Sequence, residues 1–143
     1  MPILLKRVYE KPSPADGARV LVDRLWPRGV SKGAAALEAW LKDVAPSDAL
    51  RRWFHARPSH WQMFRKRYLQ ELAQPAAEHA LEELYDLAAR RRQLTLLFSS
   101  RNLEHNNAVV LKQLLEGMRK PPSSSGGAAA AALRGRARAS RRN

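Results

Sequence analysis

The stretch Arg19-Val-Leu-Val-Asp-Arg-Leu-Trp-Pro-Arg-Gly29 constrains the fold more than any other, because an apolar run stops there abruptly in charged, aromatic and turn residues. Val20, Leu21 and Val22 suit a buried strand, whereas Pro27 and Gly29 cannot extend one. Asp23, Arg24, Trp26 and Arg28 are therefore expected at the carboxyl end of a strand, where ligand sites of α/β proteins usually lie.

Gln93-Leu-Thr-Leu-Leu-Phe98 repeats that design, an apolar strand running into Ser99-Ser100-Arg101-Asn102. A helix follows, with Asn102 as the expected cap, Glu104 and His105 in its first turn, and Ala108, Leu111, Leu114 and Leu115 facing inward. A third strand is expected over residues 3–9, followed by a turn-rich segment holding Pro12, Pro14 and Gly17. Four helices are expected between the strand pair. The first starts at Ser31, with Leu37, Trp40, Leu41 and Val44 at i, i+3, i+4 and i+7. The second is capped by Ser47 after the Ala45-Pro46 break and buries Leu50, Trp53 and Phe54. The third carries Trp61, Phe64, Tyr68, Leu69 and Leu72 on one face. The fourth, over residues 76–92, carries Leu81, Leu84, Leu87 and Ala88 and ends in the solvated Arg90-Arg91-Arg92 run.

Strands separated by helices imply crossovers, and crossovers make strands parallel, with their carboxyl ends on one side. The expected fold class is thus α/β, a small three-layer domain with a short, mainly parallel sheet, and the loops after Val22 and Phe98 share one edge. The chain has 143 residues, enough for one domain. The expected boundaries are 1–117 for the domain and 118–143 for a disordered basic low-complexity tail, whose Pro121-Pro-Ser-Ser-Ser-Gly-Gly127 and alanine run cannot bury a core.

The formal charge is +13, and seven of the 26 lysines and arginines, with no acid, lie in residues 119–143. Such a balance favours anionic partners without choosing among nucleic acid, phosphorylated metabolites and anionic surfaces. The absence of cysteine rules out disulfides and thiolate nucleophiles. No stretch has the length of a signal peptide or membrane span, so a cytoplasmic protein is expected. His55, His60 and His79 do not form metal-ligand spacing, and no glycine-rich phosphate loop occurs, so neither a metal nor a cofactor is expected.

Lys6-Arg7-Val-Tyr9, Asp16-Gly17, the Arg19–Gly29 run, Ala45-Pro-Ser47, Leu50-Arg-x-Trp-Phe54, Trp61-x-x-Phe64-x-x-x-Tyr68, Glu71-Leu72 and Leu94-Thr-Leu-Leu-Phe-Ser-Ser-Arg101 with His105-Asn106 together resemble the YeaO-like branch of domain-of-unknown-function family 488. The resemblance covers about residues 5–116. It implies a small bacterial α/β domain and no established reaction. Wider relatives often carry cysteines in the loop that holds Ser99 and Ser100 here, so thiol chemistry does not carry over to this chain. Asn102 stands where an Asp is expected, and His55-Ala-Arg57 replaces a Gly-His-Asp-like run, which removes His55 from any role shared across the family.

Two functional classes follow. In the first, Arg24, Trp26, Arg28, Ser99, Arg101 and Asn106 bind a phosphate or carboxylate ligand, and Asp23 and His105 are the candidate catalytic groups if a reaction is catalysed. In the second, basic helix residues such as Arg65, Lys66 and Arg67, with the arginine-rich tail, bind nucleic acid. An ion-pair network around Asp23, and capping or packing by His105, are the competing structural roles.

Overall fold

We describe residues 3–118 of the chain in a computed structural model. The strands are β1 (Ile3–Arg7), β2 (Ala18–Leu21), β3 (Ala39–Trp40) and β4 (Leu94–Phe98). The α-helices are α1 (Lys32–Ala35), α2 (Asp48–Ala56), α3 (Trp61–Leu72), α4 (Pro75–Arg90) and α5 (Asn107–Gly117), with 3₁₀ turns at Pro14–Asp16 and Lys42–Val44.

The four strands form one parallel sheet in the order β1-β4-β2-β3. β4 is central and buried on both faces, which is why Leu94 to Phe98 reads as an unbroken apolar run apart from Thr95. Thr95 is tolerated because its hydroxyl donates to the Asp16 carbonyl at 2.7 Å. Leu94, Leu96 and Phe98 share the main core with Ala18, Val20 and Val22 and with the inner faces of α2 to α5. Leu21, Leu97 and Val8 form a smaller cluster on the other face, closed by Trp26 and Leu37 from the loops that flank α1 and by Trp40 from β3. The sheet thus has a helical layer on one side and a cover of loops and one-turn helix on the other.

The entry into β2 depends on Gly17, whose φ of +63° disfavours any side chain. A Cβ there would lie 2.3 Å from the Gln93 carbonyl oxygen. That close approach sets β2 against β4, through an Ala18 N–H to Gln93 C=O bond of 3.0 Å.

Most helices lie where the apolar spacing predicts them. Ser47 caps α2 by accepting from the Leu50 N–H, and Pro75 opens α4 at the first helical turn. Trp53 and Trp61, expected in the core, are half-buried at its edge.

Two expectations fail. The helix from Ser31 through Val44 is a single turn, ended by Ala36 in the left-handed region at φ 51°. Beyond it the chain becomes β3 and pairs with β2. Hydrogen bonds from Glu38 N–H to Arg19 C=O (2.7 Å) and from Leu41 N–H to Leu21 C=O (3.0 Å) satisfy the exposed edge of β2. A helix could not have supplied those donors, so the pairing overrides the apolar period. Leu37 and Trp40 then face the small cluster, while Leu41 packs against the main core beside the buried Val44.

The second correction concerns α5, which starts at Asn107 with Asn106, not Asn102, as its cap. The Asn102 side chain instead accepts from the N–H groups of Glu104 (3.0 Å) and His105 (2.9 Å), closing a local turn. Glu104 and His105 therefore precede the helix. The expected disordered tail lies outside the described residues apart from Met118.

Candidate functional site

Because all four strands are parallel, their carboxyl ends meet on one edge, which carries Arg7, Asp23 and Arg24, Leu41 and Ser99. The centre of the arrangement is the half-buried carboxylate of Asp23. Its Oδ2 accepts from the backbone N–H of Ser99 (2.9 Å) and from the Ser99 hydroxyl (2.8 Å). Its Oδ1 accepts from Asn107 Nδ2 at 3.1 Å, and the same amide group donates to the Val22 carbonyl at 2.9 Å. The Asp23 carbonyl accepts from Trp40 Nε1 at 2.7 Å. One residue thereby ties the ends of β2 and β4, the start of α5 and the edge strand β3 into a single junction.

Arg24 turns away from Asp23 and holds the turn before α2. Its Nε donates to the Pro46 carbonyl (3.2 Å) and its Nη2 to the Ala45 carbonyl (3.1 Å). The same turn is gripped from below by α3. Tyr68 donates to the Val44 carbonyl, and the two carboxylate oxygens of Glu71 accept from the N–H (2.7 Å) and hydroxyl (2.6 Å) of Ser47. Burial pushes the Tyr68 hydroxyl well above its ordinary pKa, the nearby charges of Asp23 and Glu71 push it further, and Arg24 partly offsets them. The phenol is therefore a neutral hydrogen-bond donor at this junction.

Arg7, at the end of β1, donates from Nε to the Ser100 carbonyl (2.9 Å) and from Nη2 to the Ser99 carbonyl (2.8 Å). Its guanidinium also lies over the Tyr9 ring, 4.8 Å from the centroid. Both backbone polar groups of Ser99 are thus held, the N–H by Asp23 and the carbonyl by Arg7.

The remaining residues singled out from the sequence occupy three kinds of place. Trp26 anchors its own loop, its Nε1 donating to the Val30 carbonyl at 2.6 Å and its ring meeting Trp40 edge-on at 5.2 Å. Asn106 is buried as the cap of α5, and His105 stacks on Trp61 with centroids 4.5 Å apart and planes 12° from parallel. Arg28 and Arg101 are exposed, and among the described residues no hydrogen bond or ion pair holds either guanidinium.

Sequence reasoning missed Arg7, Ser47, Tyr68, Glu71 and Asn107 as parts of this junction. Their signal was present in part: Lys6-Arg7, Ala45-Pro-Ser47, Tyr68 and Glu71 all belong to the runs that carry the family resemblance. Among the described residues no group of three or more His, Cys, Asp and Glu side chains is arranged to hold a metal ion, and no helix is long and apolar enough to cross a membrane.

A family model described as the inactive DUF488-N3 subclade matches residues 2–130. The chain is 44% identical over 118 residues to an uncharacterized protein of Escherichia coli, YeaO, covering 82% of this chain and all of that protein. It is also 44% identical over 115 residues to the uncharacterized proteins Mb3100c of Mycobacterium bovis and Rv3073c of Mycobacterium tuberculosis, covering 80% of this chain and 94% of each. No solved structure matches it.

Proposed function

This chain belongs to the YeaO-like DUF488 branch, in the subclade described as inactive, and on that premise we propose that it is a non-catalytic cytoplasmic binding protein for a small phosphate- or carboxylate-bearing ligand. The observation that carries this reading is the pair of guanidinium groups, Arg28 and Arg101, that have no partner among the described residues, on the two loops that Asp23 and Ser99 fasten together. An arginine with no carboxylate of its own keeps all of its donors for an anion, and two on tethered loops make paired contacts to one ligand.

Two features favour binding over catalysis. The Asp23 carboxylate already accepts three hydrogen bonds from its own chain, which leaves it little capacity as a general base. His105 lies flat against Trp61, and no carboxylate orients its ring among the described residues. Asp23 thus acts as the fastener of the site, and the arginines act as its recognition groups.

Thermal melts in inorganic phosphate and in a panel of phosphorylated and carboxylated metabolites, at constant ionic strength, test this. The wild type should be stabilised by at least one anion, by about 2.7 kcal/mol at a hundred times its dissociation constant. Arg28→Gln combined with Arg101→Gln should melt like the wild type without ligand and lose that gain. Equal stabilisation of both proteins, or of neither, would remove the proposal's support.

A further inference from the structure

We infer that the outer face of α2 and α3 is a second anion site, one that takes the phosphodiester backbone of double-stranded nucleic acid. From residue 49 to residue 70 the chain contains Arg51, Arg52, Arg57, Arg65, Lys66 and Arg67 and no acid. The single Asp48 carboxylate is shared by Arg51 and Arg52 at the amino end of α2, with both contacts at 2.6 Å. No carboxylate pairs with the other four among the described residues.

The ring of Trp53 organises two of these cations. The Arg67 guanidinium sits over it at 4.4 Å and the Arg57 guanidinium at 5.5 Å, while His60 meets it edge-on at 5.7 Å. Arg57 comes from the carboxyl end of α2 and Arg67 from the middle of α3, so charge from two elements gathers around one tryptophan ring. Arg57 Nη1 also donates to the Trp53 carbonyl at 3.4 Å, and the remaining N–H groups of a stacked guanidinium, which has already lost much of its rotational freedom, suit it to a phosphate oxygen. Lys66 adds a third exposed charge beside Arg67.

The composition of the face selects the partner. Met63 is the only large apolar side chain exposed on α2 or α3, too little to insert into a lipid surface. The Trp53 ring is already occupied by cations and is not a free platform for an unpaired base, which argues for backbone contacts to a duplex. Binding of this kind is independent of sequence and steeply dependent on salt. The face shares no residue with the Arg28 and Arg101 site.

The test uses the full chain, with its own tail, and fluorescence anisotropy of a short DNA duplex and of the RNA duplex of the same sequence, from about 50 to 200 mM salt. Arg57→Gln combined with Arg67→Gln should weaken duplex binding roughly tenfold and reduce the slope of log affinity against log salt by about 2. Arg90→Gln combined with Arg92→Gln, which removes the same charge from the end of α4, should leave both quantities near the wild type. The two duplexes show whether DNA or RNA is preferred. Equal losses in the two double variants, no loss in the first, no duplex binding by the wild type, or tighter binding to phosphatidylserine vesicles than to either duplex would each overturn the inference.

Discussion

Asp23 does at residue scale what a loop residue seldom does, fastening four elements through one side chain and one carbonyl. Its position at a strand end was legible in the sequence, because the apolar run stops in front of it. Its partners were not, since Ser99 and Asn107 lie 76 and 84 positions away and only the sheet order β1-β4-β2-β3 brings them together. Asp23→Asn should destabilise the domain by about 1–3 kcal/mol in chemical denaturation. The new amide group would face either the Ser99 donors or the Asn107 amide, leaving a donor opposite a donor. If the variant denatures at the wild-type midpoint, the carboxylate is not holding the junction.

The turn between residues 44 and 47 shows how elements are joined. Arg24 from the β2 loop and Tyr68 and Glu71 from α3 all bind it, and Ser47 within it caps α2. Ser47→Ala removes both the cap and one contact to Glu71, and should cost about 1–2 kcal/mol. Adding Glu71→Gln to Ser47→Ala should then cost less than Glu71→Gln does alone, because the two residues share a contact. At this scale the sequence announced β1, β2, β4 and the helices from α2 onward, whose apolar periods are long or whose caps are plain. It misled over residues 36–44, where the helical spacing of Leu37, Trp40, Leu41 and Val44 is met by a strand and a turn that bury the same residues on two faces. The start of α5 was misplaced for a related reason: Asn102 and Asn106 are both competent caps, and only packing chooses between them.

For the molecule as a whole, the face of the sheet opposite the main core also carries a buried charge cluster. Asp16 accepts from Lys6 (3.0 Å), Arg19 (2.6 Å) and the Ser13 N–H (3.0 Å). Burial raises the Asp16 pKa, but the hydrogen bonds from Lys6, Ser13 and Arg19, together with the charge of Lys6, outweigh it and leave the carboxyl below its ordinary value. A carboxyl depressed in the folded state contributes stability above its unfolded pKa of about 4 and loses it as pH falls through the folded value. Urea titrations should therefore show a stability gap between wild type and Asp16→Asn that holds from pH 7 down to about 4 and closes below it. A gap that stays constant below about 4 as well would mean the cluster contributes no pH-linked stability. Tyr68 acts in the opposite direction: its raised pKa gives stability that is present below about 10 and declines above it, and Tyr68→Phe should remove that alkaline dependence.

The α/β architecture and the shared strand edge could be read from the chain because parallel strands leave no other arrangement for their ends. Which arginines are committed to backbone and which are free could not, because Arg7, Arg24, Arg28 and Arg101 look alike until the turns around them are folded. The most direct measurement is a titration of the ¹⁵N-labelled full chain with inorganic phosphate at constant ionic strength, followed by ¹H–¹⁵N correlation spectra. Saturable shifts should centre on the amides of Arg28, Ser99, Ser100 and Arg101, on the two loops that the Asp23–Ser99 contact joins. Shifts confined to α2, α3 and the arginine-rich tail, or no saturable shift, would contradict the assignment of this edge as the ligand site.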